Sequence, residues 1–167
     1  MANGKPVIVR FYRFKNRLKE KTAGLNPTGK VTLSAEAMEE AEKALSKMSE
    51  DYPDWVSGLV GKMQEQHGRC VDTPESRKEC FEEIARIAHD MKGQGGTFGY
   101  PLITAFSDSL YGFTQIKGDI EDAVVELVKA HIDAMRAVIR GRVAGSGGDI
   151  GKSLTEGLNE AIAKYSV

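Results

Sequence analysis

Residues 88 to 100 read Ala-His-Asp-Met-Lys-Gly-Gln-Gly-Gly-Thr-Phe-Gly-Tyr. A histidine, a lysine three positions on and the glycines at 93, 95, 96 and 99 are residue types that a surface taking up a phosphoryl group would need. Imidazole suits nucleophilic work because its unperturbed pKa near 6.5 leaves much of it neutral at cellular pH, with a free nitrogen lone pair. An ammonium group beside it attracts phosphate oxygens. Positions without side chains let another protein's backbone or active-site rim come close. That is a reason to tolerate the roughly 0.5 to 1 kcal/mol that each helical glycine costs relative to alanine.

Such roles need one helical face. A helix advances about 100° per residue, so Lys92 and Gly93 share the face of His89 and Gly96 returns to it. On the same count Ile84, Ile87, Met91 and Phe98 fall roughly 160° to 220° away. The core is therefore expected on those four residues and His89 in solvent. Phe98 keeps the apolar phase and Pro101 stops the helix, which predicts its continuation to residue 98 or 99.

The string resembles the active helix of histidine-containing phosphotransfer (HPt) domains, and its Gly96-Thr97-Phe98-Gly99-Tyr100 run is similar to the phosphotransfer domain of chemotaxis histidine kinases. Those domains carry His, Lys at +3, Gly at +4 and Gly at +10, here His89, Lys92, Gly93 and Gly99. The resemblance is strong over residues 84 to 110, weaker but compatible over 34 to 142, and absent over 1 to 30. Two positions depart from the family pattern. Gln94 stands at +5, where Ser, Ala or Gly is usual, so the approach to the histidine is either more crowded or gains a hydrogen bond. In the chemotaxis version a carboxylate on the next helix orients the histidine. The same count lands here on Tyr111, with Asp108 one turn earlier, and either can substitute.

The elements that must position these residues read as helices. Ser34 is a candidate N-cap for a helix with Met38, Ala41, Leu45 and Met48 at spacings of three and four. Pro53 is expected to end that helix and open another, with Trp55, Val56, Leu59, Val60 and Met63 forming a stripe until Gly68. Thr73-Pro74-Glu75 starts the His89 helix. Pro101 opens a fourth, with Leu102, Ile103, Phe106, Leu110 and Phe113, which Gly118 closes. A fifth begins at Asp119 and carries Ile120, Val124, Leu127, Val128, Met135 and Val138 to about Arg140. His131 lies in that stripe and is expected to be buried or edge-packed. His67 is expected to serve a helix C-terminus or to be plain surface. Ile150, Leu154, Leu158 and Ile162 mark a final amphipathic helix, packing in cis or on a partner.

The expected fold is all-α, an antiparallel up-and-down helical bundle of the HPt-like four-helix kind with extra terminal segments. The segments are a basic arm at 1–30, the bundle at 31–142, and a Gly-rich linker with the last helix at 143–167. With 167 residues and 41% hydrophobic content one core is affordable, and 28% charge favours a soluble chain. The absence of a long apolar run predicts no membrane span and a cytoplasmic protein. Residues 1–30 hold eight basic side chains against Glu20, a net of +7 that leaves −8 for the remainder. With Phe11, Tyr12 and Phe14 interleaved, the arm either contacts an acidic partner, anionic lipid or nucleic acid, or lies solvated against its own acidic domain. No recognisable nucleic-acid module supports the former.

Several chemistries are set aside. Gly145 to Ser153 fails as a phosphate-binding loop, because Ser146 stands where the first glycine is required. His67, Cys70, Cys80 and His89 lack the spacing of a zinc finger or ribbon, so no metal is expected and the cysteines are read as free thiols. Repeated His/Glu helix pairs for a di-iron bundle are missing.

The resemblance implies a phosphocarrier without its own ATP-binding kinase domain. His89 would be the phosphoacceptor and Lys92 would attract the phosphate. Gly93, Gln94, Gly96 and Gly99 would form the docking face, with Asp108 or Tyr111 orienting the imidazole. Its partners would be a response-regulator receiver domain or a histidine kinase, with no small-molecule substrate, no cofactor of its own and magnesium on the partner. The alternative is an HPt-like adaptor that binds signalling partners without phosphorylation or works through its basic arm on lipid or nucleic acid.

Overall fold

Apolar positions spaced by three and four become helices throughout the described part of the chain. The computed structural model describes Tyr12, Arg17 and residues 34–115 and 118–165; the basic arm and the Gly24–Gly29 linker therefore lie outside the described residues, those two positions apart. Among the described residues five α-helices are delimited: α1 Ala35–Asp72, α2 Arg77–Gln94, α3 Pro101–Thr114, α4 Asp122–Arg140 and α5 Gly148–Tyr165. The protein is all-α among the described residues. None of these helices is long and apolar enough to cross a membrane. Met1–Ala41 and Glu42–Val167 are separate units, and the second holds the core. In the first unit Ser34 caps α1, its Oγ accepting the Ala37 N–H at 3.1 Å.

Pro53 does not end a helix. It lies buried inside α1, which runs unbroken to Asp72 and through Gly68. An interior proline costs about 3 kcal/mol. Val56, Val60 and Met63 continue the buried stripe beyond it, and each such side chain returns about 1.5 to 3 kcal/mol on burial. The stripe outweighs the break. Other boundaries shift too. A 3-10 turn, Pro74–Ser76, intervenes before α2, α3 closes at Thr114 rather than Gly118, and α4 opens at Asp122 rather than Asp119.

Ile84, Ile87 and Met91 of α2 meet Val56, Val60 and Met63 of α1, Ile103, Phe106 and Leu110 of α3, and Val128, Ile132 and Met135 of α4 in a single core. Helices α2 and α3 pack together, as do α3 and α4, and α5 returns onto α4 within the same chain, placing Leu158 in the core with Leu154 and Ile162 beside it. Ile150 stays exposed. Arg77 clips the far end of the assembly, donating to the carbonyls of Cys70 at 3.1 Å and Ile120 at 2.8 Å and pairing with Asp122. Cys70 and Cys80 are buried free thiols. Burial pushes the Cys70 thiol up to about 12. His67 sits within α1, half-buried, rather than at a helix end, and its Nε2 has no hydrogen-bond partner.

His131 is fully buried, with Nδ1 2.7 Å from the Leu127 carbonyl and Nε2 2.9 Å from Ser109 Oγ. The carbonyl can only accept, so the ring is the neutral Nδ1–H tautomer and Ser109 donates to Nε2. Burial holds its pKa below the ordinary histidine value. The unfolded chain therefore takes up a proton near pH 6.5 that the folded chain refuses. The histidine favours folding fully above that pH, and its contribution is lost as pH falls towards the lower folded value. Stability should drop by up to about 1.4 kcal/mol per pH unit in that window. Urea midpoints at pH 5 and 7.5 should differ more for the native chain than for His131→Gln; an equal difference would refute the assignment.

Candidate phosphoryl-acceptor site

The site grows from the solvent face of α2. Ile84, Ile87, Ala88 and Met91 are buried and hold the helix down, while His89, Lys92 and Gly93 are exposed. This is the division that the 100° period predicts. The regular helix ends at Gln94, but backbone bonding carries the chain further. Phe98 N–H donates to the Gln94 carbonyl at 3.2 Å, Gly99 to Gly96 at 3.3 Å and Tyr100 to Gly95 at 2.7 Å. The last two bonds, with Gly99 at φ +83°, make a Schellman closure that requires a left-handed residue at that point. The expected continuation to residue 98 or 99 takes this turn form.

The glycines divide by role. An added Cβ at Gly93 would meet open space, and Gly96 has only the Thr104 hydroxyl at 3.8 Å. Gly99 is a conformational requirement. Gly95, absent from the expected docking set, is the packing glycine: a Cβ there would lie 2.8 Å from the Thr104 nitrogen and hydroxyl and from the Tyr100 carbonyl. Thr104 then ties the two helices, accepting from the Gly96 N–H at 2.9 Å and donating to the Lys92 carbonyl at 3.2 Å. A hydroxyl residue one turn into a helix that begins with proline is the only sequence signal for this clasp, and it is a weak one.

Gln94 lies about 140° from His89 by helical phase. It lines an apolar groove of about 570 Å³ with Met48, Asp51, Tyr52, Trp55, Gly93, Thr97 and Phe98. It therefore neither crowds the histidine nor hydrogen-bonds it. In the groove wall Tyr52 stacks on Phe98 at 4.8 Å and lies 5.6 Å from Tyr100.

Asp108 and Tyr111 part company. The Asp108 carboxylate pairs with Lys92 Nζ at 2.5 Å, whereas the Tyr111 ring lies 5.4 Å from the His89 ring, inclined by 51°. Among the described residues nothing hydrogen-bonds either imidazole nitrogen of His89. On the same side of α2 Arg86 pairs with Glu83 at 2.5 Å and reaches Asp90 at 3.6 Å. No group of three or more metal-ligating side chains is present among the described residues.

Chemically, the arrangement offers an exposed imidazole beside an aromatic ring, a cation one turn away and a surface open at Gly93 and Gly96. Comparison with protein-family models, with curated proteins and with solved structures finds no match.

Proposed function

We propose that the protein is a phosphocarrier of two-component signalling, holding a phosphoryl group on His89 between a histidine kinase or receiver-domain aspartate and a response regulator. The observation that carries this reading is the exposed His89 with Lys92 one turn on, on a helix whose opposite face is core. An HPt-like antiparallel four-helix bundle over 31–142 is the matching architecture, and a cytoplasmic location matches its partners. In the transfer from a receiver, a lone pair of an imidazole nitrogen attacks phosphorus and forms an N–P bond. The O–P bond of the aspartyl phosphate breaks, its electron pair returning to the carboxylate, while the other imidazole nitrogen keeps its proton. Lys92 faces the oxygens of the transferred group. Magnesium and any nucleotide belong to the partner in this reading.

Incubation with a receiver domain charged on its aspartate by acetyl phosphate tests the proposal. Acid-labile, base-stable label should appear on His89. A second reading, a non-phosphorylated adaptor, draws on Tyr111 standing where chemotaxis phosphotransfer domains carry a carboxylate. It requires complex formation with the receiver and no label.

A further inference from the structure

The Lys92–Asp108 pair has a feature that a phosphate-binding lysine does not need: in the unphosphorylated protein the ammonium already has an anion. We infer that Lys92 exchanges partners, moving from Asp108 to the phosphoryl group when His89 is modified, so that Asp108 sets how readily His89 keeps its phosphate. The inference deepens the phosphocarrier reading and rests on its phosphohistidine at position 89.

The contact is close, 2.5 Å, yet both side chains are well exposed, at 42% for Lys92 and 56% for Asp108. Ion pairs so exposed are screened and weak. A phosphoryl group brings about −1.5 to −2 charge and three strong acceptors. Residues three apart on a helix hold their Cβ atoms only about 5 to 6 Å from each other, so the new anion on His89 arises within the reach of Lys92. It competes with a single carboxylate and carries more charge. Lys92 leaves, and Asp108 then gives up its partner cation.

The geometry also separates two tasks. Tyr111 faces the imidazole ring and Asp108 faces the lysine, so among the described residues no carboxylate supports the proton on the imidazole. Asp108 is a positioning residue that acts through Lys92.

Phosphoramidate tests this without any partner protein. Its N–P bond breaks as the imidazole N–P bond forms, releasing ammonia, and the equilibrium constant against ammonium can be read by phosphorus NMR, with His89→Gln subtracting label on other histidines. Asp108→Asn should raise that constant about two- to five-fold, the range expected from an exposed pair, and Asp108→Glu should restore it. Lys92→Gln should lower it. In the Lys92→Gln background, Asp108→Asn should have less than half its effect on a logarithmic scale, and the urea midpoints of the variants should fall by no more than the loss of this one exposed pair brings. An unchanged constant in Asp108→Asn overturns the exchange, as does an effect that persists undiminished without Lys92 or that Asp108→Glu fails to reverse. Failure of the receiver transfer with the phosphoramidate result intact would refute the phosphocarrier reading and leave the exchange standing.

Discussion

His89→Gln should abolish transfer from a phosphorylated receiver while leaving the fold intact. The side chain is exposed and, among the described residues, its ring meets that of Tyr111 alone, so its removal should change stability by no more than about 0.5 kcal/mol, the usual range for surface substitutions. Glutamine keeps polarity and approximate length but offers an amide, whose nitrogen lone pair is delocalised and does not attack phosphorus. Label should fall to background with an unchanged urea midpoint. Lys92→Ala should slow transfer about tenfold rather than abolish it, since one charge-assisted contact is lost and the nucleophile remains. A grading from total to partial loss distinguishes a nucleophile from its electrostatic support. Residual label on the His89→Gln protein would move the phosphoacceptor elsewhere. His131 cannot inherit the role, because both of its nitrogens are engaged in the core.

What could be read from the sequence followed local periodicity. Ile84, Ile87 and Met91 recur on one phase of a helix, so the exposure of His89 is a consequence of 3.6 residues per turn and needs no tertiary knowledge. The all-α class follows from the same repeats. Pro53 was misleading for the opposite reason. Its local signal is a helix stop, and only the burial of Tyr52, Val56, Val60 and Met63 in one core reveals that packing prevails. The partner of Lys92 was equally beyond reach. Asp108 and Tyr111 are three residues apart and therefore share a face of α3, so the sequence makes both eligible for His89. The rotation and offset of α3 against α2 decide that the carboxylate meets the ammonium and the ring meets the imidazole. Those two quantities depend on side-chain interlocking across the interface, above all at Gly95 and Thr104.

Gly95→Ala tests that interlock, and it should be the most damaging single-methyl change near the site. The new carbon would fall 2.8 Å from two backbone atoms, the Thr104 nitrogen and the Tyr100 oxygen, as well as from the Thr104 hydroxyl. A flexible side chain would swing aside, but backbone atoms of the first turn of α3 move only if the helix moves. Overpacking of this kind costs about 1 to 3 kcal/mol, more than the roughly 0.5 to 1 kcal/mol that alanine gains over glycine in a helix. Gly93→Ala is the control: its Cβ meets open space, so stability should hold or rise by up to about 1 kcal/mol. The two alanines, two residues apart, should thus part: Gly95→Ala lowers the urea midpoint and Gly93→Ala does not. Their effects on transfer should differ in origin as well. Displacing α3 from Gly95 loosens the Thr104 bonds to the Gly96 N–H and the Lys92 carbonyl, and with them the registry that sets Asp108 and Tyr111 against Lys92 and His89. Gly95→Ala should therefore lose transfer and stability together, whereas Gly93→Ala should slow transfer only by obstructing the partner. A Gly95→Ala protein as stable as the native one would show that α3 is free to slide, and the geometry assigned to the site would not survive that result.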